Sequence, residues 1–221
     1  MRGCFITFEG GEGSGKSTHA KTLAAELIKL GIEVVLTREP GGSPGAEVIR
    51  HILLSGIAKP LGAETEAILF AAARDDHVRN VIRPALDAGK WVICDRFIDS
   101  TRAYQGKLGK VDMKMIRGLE RITVGAYMPD LTFVLDVPAN IGLARAKRRR
   151  AEAAADRFES EALEFHQELG RAYRAIAAEE PRRIVVIDGR PPRDVVAQRI
   201  WEVLVERLHP ERARLAEEAG P

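Results

Sequence analysis

Residues Gly10-Gly-Glu-Gly-Ser-Gly-Lys16-Ser17-Thr18 fit the spacing G-x-x-x-x-G-K-[ST]. Glycines at this density let consecutive backbone N–H groups turn inward and form a nest for an anion. An apolar run precedes the motif and a helical pattern opens at Lys16, so a helix N-terminus adds its dipole. Lys16 supplies a point charge for the β- and γ-phosphates of a nucleoside triphosphate, and the Ser17 hydroxyl suits Mg2+. Gly10, Gly11, Glu12, Gly13, Ser14, Gly15 and Thr18 complete the loop. A second apolar run, Trp91-Val-Ile-Cys-Asp95, ends in an acid, which at the carboxyl edge of a sheet stands beside Mg2+. Arg96 follows at once, a cation able to bind a phosphate that the metal also approaches. Phe133-Val-Leu-Asp136 competes for the metal role, but it leads into Val-Pro and a helix rather than a polar run.

These side chains need a scaffold that delivers loops to one edge. Short β-rich runs at 4–8, 33–37, 91–94, 131–136 and 184–187 alternate with helical spacings. The helical stretches are 16–30, 45–54, 64–88 with a kink at Pro84, 111–126, 139–150, 161–179 and 192–208. Five apolar strands separated by helices predict an α/β fold, a five-stranded parallel sheet with helices on both faces and right-handed crossovers. No internal repeat or long linker divides the chain. A single domain over 1–208 is expected, with a charged tail over 209–221 to which no role attaches.

The composition is that of a globular chain: of 221 residues, 45% are hydrophobic and 30% charged, which excludes disordered and collagen-like classes. Lys plus Arg is 34 against 32 acids, so the formal charge of +2 argues against a nucleic-acid partner bound by bulk charge. Cys4 and Cys94 both lie in apolar runs and read as buried thiols in a reducing compartment. No apolar run approaches the roughly 18 residues of a membrane span, and no signal-peptide pattern opens the chain. A cytoplasmic protein without a membrane partner is the expectation.

Five segments in order resemble the thymidylate kinase family: Phe8-Glu-Gly10 running into the phosphate loop, Thr37-Arg-Glu-Pro-Gly-Gly42, Leu69-Phe-Ala-Ala-Ala-Arg74, Asp95-Arg-Phe-Ile-Asp-Ser-Thr-Arg-Ala-Tyr-Gln-Gly106 and Asp156-Arg-Phe-Glu159. The Asp95–Gly106 run is the most specific of them. The resemblance implies a phosphate-loop nucleoside monophosphate kinase fold and transfer of the γ-phosphoryl group of ATP to dTMP, giving dTDP and ADP. It implies that Phe70 stacks on the thymine ring, while Arg74, four residues on along the same helix face, donates to a base carbonyl. Thr101 and Gln105 would bond the base edge, and Tyr104 would crowd a 2′-hydroxyl. Arg96 would grip the dTMP phosphate with Arg50 and the Glu39-Pro40-Gly-Gly42 loop, Arg38 being a further candidate. Glu12, an acid in an anion-binding loop, would meet the sugar 3′-hydroxyl.

The phosphate loop carries no arginine, whereas Lys147-Arg148-Arg149-Arg150 is strongly basic. The chain thus resembles the bacterial members that place a catalytic arginine in a lid, here near 147–159, and any of Arg148, Arg149 and Arg150 could serve. Arg145, one turn earlier, resembles the residue that packs on adenine. A homodimer is the family's usual state, and apolar stretches at 65–86 and 113–126 could form its interface. Two alternatives stand beside this one. Another nucleoside monophosphate kinase would share the scaffold but not the Phe70–Arg74–Thr101–Tyr104 set. A nucleotide-hydrolysing switch of the GTPase kind would carry an N-K-x-D motif, which this sequence lacks.

Overall fold

A computed structural model describes residues 2–150, 158 and 160–210, with Arg149 and Arg150 described in backbone only. The strands are β1 (Phe5–Glu9), β2 (Val34–Arg38), β3 (Trp91–Asp95), β4 (Leu131–Asp136) and β5 (Ile184–Asp188). The helices are α1 (Lys16–Lys29), α2 (Pro44–Leu54), α3 (Gly62–His77), α4 (Arg83–Asp87), α5 (Ile98–Thr101), α6 (Met113–Thr123), α7 (Ala139–Arg150), α8 (Leu163–Glu179) and α9 (Arg193–Leu208). The strands form one all-parallel sheet in the order β2-β3-β1-β4-β5.

Burial on both faces explains the near-continuous apolar strands. Ile6 and Phe8 of β1 pack with Phe133, Leu23 and Leu27 of α1, and Ile200 and Leu204 of α9. Phe5 points the other way, to Val92, Phe97, Ile98, Ile82 and Leu86. Each such buried side chain contributes about 1.5–3 kcal/mol. The buried Thr7–Thr132 hydroxyl pair, 2.7 Å apart, adds nearer 1 kcal/mol. Apolar packing on the two faces, rather than that polar contact, therefore dominates the energetics of the sheet.

The connection leaving β1 runs to β2 on one side, and that leaving β3 runs to β4 on the other. A crevice consequently opens at the carboxyl ends of β1 and β3, where ligands of such sheets lie. The register is direct, since Phe8 of β1 pairs with Asp95 of β3.

Three elements differ from expectation. The helix expected over 64–88 is α3 and α4 joined by a wide π-helical turn at Val78–Ile82. Pro84 has no N–H for the carbonyl one turn back, and the ladder widens just ahead of it. The helix expected over 111–126 is trimmed to Met113–Thr123 because Asp112 caps it, accepting from the Lys114 N–H at 2.8 Å. The polar run after Asp95, read without an element, coils into α5 and a π-helical segment, Arg102–Leu108. Cys94 is buried, but Cys4 is only partly so, and both are free thiols.

Candidate active site

The phosphate loop joins β1 to α1 with Gly15 left-handed ahead of Lys16. Gly13 has φ +64, and a Cβ there would land on the carbonyl oxygen of Gly142. Gly142 meets the Glu12 carbonyl in return, so α7 lies backbone to backbone on the loop. Lys16 is buried, and its Nζ donates to the carbonyls of Gly10 (3.1 Å) and Gly11 (2.8 Å) and to Ser14 Oγ (3.4 Å). Burial, then the Arg96 charge, draws its pKa down to about 8. A lysine satisfied only by neutral oxygens in this way is primed to exchange them for phosphate.

The Ser17 hydroxyl donates directly to the Asp95 carboxylate. Asp136 instead takes Arg174 Nη1 at 2.8 Å. A hydroxyl and a carboxylate in contact, beside a phosphate loop, fit a hard divalent cation that would draw its other ligands from phosphate and water. Among the described residues no cluster of three or more His, Cys, Asp and Glu forms an all-protein cage.

Arg96 sits at φ +67, a left-handed conformation uncommon outside glycine. Its guanidinium pairs with Glu12 and donates to Gly10 O (3.2 Å), Tyr173 Oη (3.3 Å) and Ser100 Oγ (3.4 Å), over the ring of Tyr104. Burial opposes its charge, but Tyr104 and Glu12 outweigh that and hold its pKa above the ordinary value. Behind it lies Glu9, fully buried. Glu9 Oε1 accepts the backbone N–H groups of Phe97 (2.8 Å) and Ser100 (3.1 Å). Oε2 accepts the hydroxyls of Ser100 (2.6 Å) and Tyr173 (3.1 Å). Glu9 thus caps α5 and fixes the turn presenting Arg96. Burial, then Asp99, pushes its pKa up to about 7.

A cavity of about 340 Å³ runs from Lys16, Ser17 and Asp95 past Arg96 to an aromatic recess. Phe70, Tyr104 and Phe158 line the recess, Phe158 standing edge-on to Tyr104 with centroids 5.1 Å apart. Arg74 is held by Glu39 Oε2 (2.8 Å), Phe97 O (3.3 Å) and Thr101 Oγ1 (3.0 Å), and its Nη1 takes no part in these bonds. His77 braces the other oxygen of Glu39 at 3.1 Å. Gln105 lies deep in the recess, its amide 3.5 Å from Glu66. Arg50 donates to Pro40 O at 2.5 Å, tying the Glu39–Gly42 loop to α2. Arg38 reaches the cavity wall while paired with Glu47.

The predicted base, sugar and phosphate residues therefore line one cavity with Glu12, Gly13, Gly15, Lys16 and Ser17. Gly10, Gly11, Ser14 and Thr18 shape the loop or open α1 without lining the cavity. Arg145 turns to the β5–α9 loop, donating to Gly189 O (2.9 Å) and Arg190 O (3.3 Å). Arg148 is exposed at the end of α7. The side chains of Arg149 and Arg150, with most of the lid segment and the tail beyond residue 210, lie outside the described residues. Sequence reasoning gave no role to Glu9, Ser100, Phe158 or Tyr173. An acid closing an apolar strand was a usable signal for Glu9, and the Asp156–Glu159 motif already contained Phe158.

A phosphate loop, an acid one strand away, and a second, arginine-bearing recess opening into the same crevice define a phosphate-loop nucleoside monophosphate kinase fold. The family model described as thymidylate kinase matches residues 8–200. Proteins named thymidylate kinase from Bradyrhizobium sp. ORS 278 and Afipia carboxidovorans are each 59% identical, covering 94% and 96% of this chain and 92% and 95% of their own. The crystal structure of thymidylate kinase from Ehrlichia chaffeensis superposes with a TM-score of 0.73 at 35% identity, over 92% of this chain and 99% of that one. The chain belongs to the thymidylate kinase family, and its activity is that of a dTMP kinase. Among the described residues no helix is long and apolar enough to cross a membrane.

Proposed function

We propose that this one cavity carries out transfer of the γ-phosphoryl group of ATP to dTMP, giving dTDP and ADP. The observation that carries the assignment of residues is the continuity of the cavity from Lys16 to Phe70, with Arg96 midway. Lys16 and the loop amides hold the triphosphate. Arg96 and Arg50 hold the acceptor phosphate, and Glu12 takes the sugar 3′-hydroxyl. Phe70 stacks on the base, Arg74, Thr101 and Gln105 bond its edge, and Tyr104 excludes a 2′-hydroxyl. Ser17 and Asp95 hold Mg2+, which when bound would neutralise charge on the triphosphate oxygens. The acceptor is already an anion, so the protein's task is alignment and neutralisation, and no general base is required. One arginine of 148–150, in a lid over 147–159, completes the charge clamp, and Arg145 lies against the adenine.

The same reading makes the enzyme a cytoplasmic single-domain homodimer. Exposed Ile68 on α3 and Ile122 on α6, helices that pack together, support the dimer face. The test is ADP release with ATP and Mg2+ across dTMP, dUMP, dCMP, dGMP, dAMP and the ribose analogue of dTMP. Turnover confined largely to dTMP is expected. Release indifferent to the acceptor would sink the assignment of the recess.

A further inference from the structure

His166 of α8 is buried, and neither Nδ1 nor Nε2 makes a well-formed hydrogen bond to a described residue, the Glu161 backbone being near enough only to favour the charged ring. A neutral imidazole carries one donor and one acceptor, and leaving both unmade in the interior is costly. Burial holds its pKa below the ordinary value, against the Glu12 carboxylate, Glu161 and its backbone, with Arg96 acting alongside burial. The ring borders a small cavity of about 20 Å³, room for a single water. Gly10, Gly11 and Glu12 of the phosphate loop form one wall, with Tyr173 beside His166 on α8.

In that wall, Gly11 carries a carbonyl that is due to lose its donor. Gly11 O accepts from Lys16 Nζ at 2.8 Å, and Gly10 O accepts from both Lys16 and Arg96. When Lys16 turns to the triphosphate, Gly10 O keeps Arg96, but Gly11 O has no second donor among the described residues. We propose that His166 is a positioning residue for the phosphate loop: through one water in this cavity its ring N–H serves the Gly11 carbonyl once Lys16 leaves for the nucleotide. Tyr173 lines the same cavity. The inference rests on the role proposed above for Lys16.

The test compares His166→Leu and His166→Gln with the wild type by calorimetric titration of ATP and, separately, of dTMP, together with thermal melting. His166→Leu is expected to weaken ATP binding about tenfold, the scale of one hydrogen bond, while dTMP binding stays within about twofold. His166→Gln, which keeps a donor, is expected to recover most of the ATP affinity. A purely structural imidazole predicts otherwise: replacing an unbonded ring by leucine would raise the melting temperature and leave ATP affinity unchanged. That result would overturn the proposal. So would equal losses of both ligands in the two variants. Wild-type protein that forms no ADP with dTMP would overturn the functional reading instead, and this inference with it.

Discussion

Glu9 makes the stability of the fold depend on pH in an unusual direction. Its carboxyl is moved from 4.5 to about 7 by burial, then Asp99. The native state therefore holds a proton that the unfolded chain has released between those values, and stability falls as pH rises through the window. Working the two titrations through gives a loss of about 2–3 kcal/mol between roughly pH 5 and pH 8. Glu9→Gln removes the titration while keeping an oxygen for the N–H groups of Phe97 and Ser100. The Ser100 and Tyr173 hydroxyls then turn to accept from the amide. The assay is denaturant unfolding of both proteins at several pH values across that range. The difference, Glu9→Gln minus wild type, is expected to move in favour of the variant by about 2 kcal/mol from the acid end to the alkaline end. A difference that stays flat across the range, or moves the other way, would refute the protonation argument even if the variant folds and works.

Gly13→Ala is expected to abolish ATP binding, because φ +64 and the Gly142 carbonyl both forbid a Cβ, whereas Gly11→Ala meets nothing within 4 Å and should be silent. Calorimetric ATP titration separates the two. Phe158→Ala should raise KM for dTMP about tenfold by stripping one wall from the aromatic recess, with ATP affinity kept, as steady-state kinetics in each substrate will show. Asp95→Asn should lower turnover on the order of a hundredfold and raise the Mg2+ requirement. Asp136→Asn should leave both nearly unchanged, and a magnesium titration decides between the two acids.

Much of this was legible in the residues. The spacing from Gly10 to Ser17 demands a strand before it and a helix after it, and both are present. Asp95 was preferred to Asp136 because of the polar run behind it, and Ser17 bonds Asp95. The strands were readable because burial on both faces leaves unbroken apolar runs. The coil from Ile98 to Leu108 was not, because its polar residues are spent on ligand-facing and buried polar contacts rather than on an amphipathic stripe. Arg74 was read as a base contact alone. The fold spends three of its donor contacts on Glu39, Phe97 and Thr101, a demand set by chain segments 35, 23 and 27 residues away. Glu9 depends on Tyr173, 164 residues distant, and no local pattern carries such a partner.

The contact between Gly13 and Gly142 has a consequence for how this chain can drift. Because α7 is seated backbone to backbone on the phosphate loop, the span to its basic end is counted in whole residues from that seat. Each residue adds about 1.5 Å and turns the helix by roughly 100°. Substitutions between residues 143 and 147 leave this measure intact. One inserted or deleted residue there would swing Arg148 a quarter-turn or more around the helix, so, Arg145 and the buried Ala146 apart, this short stretch should accept changes of side chain far more readily than changes of length.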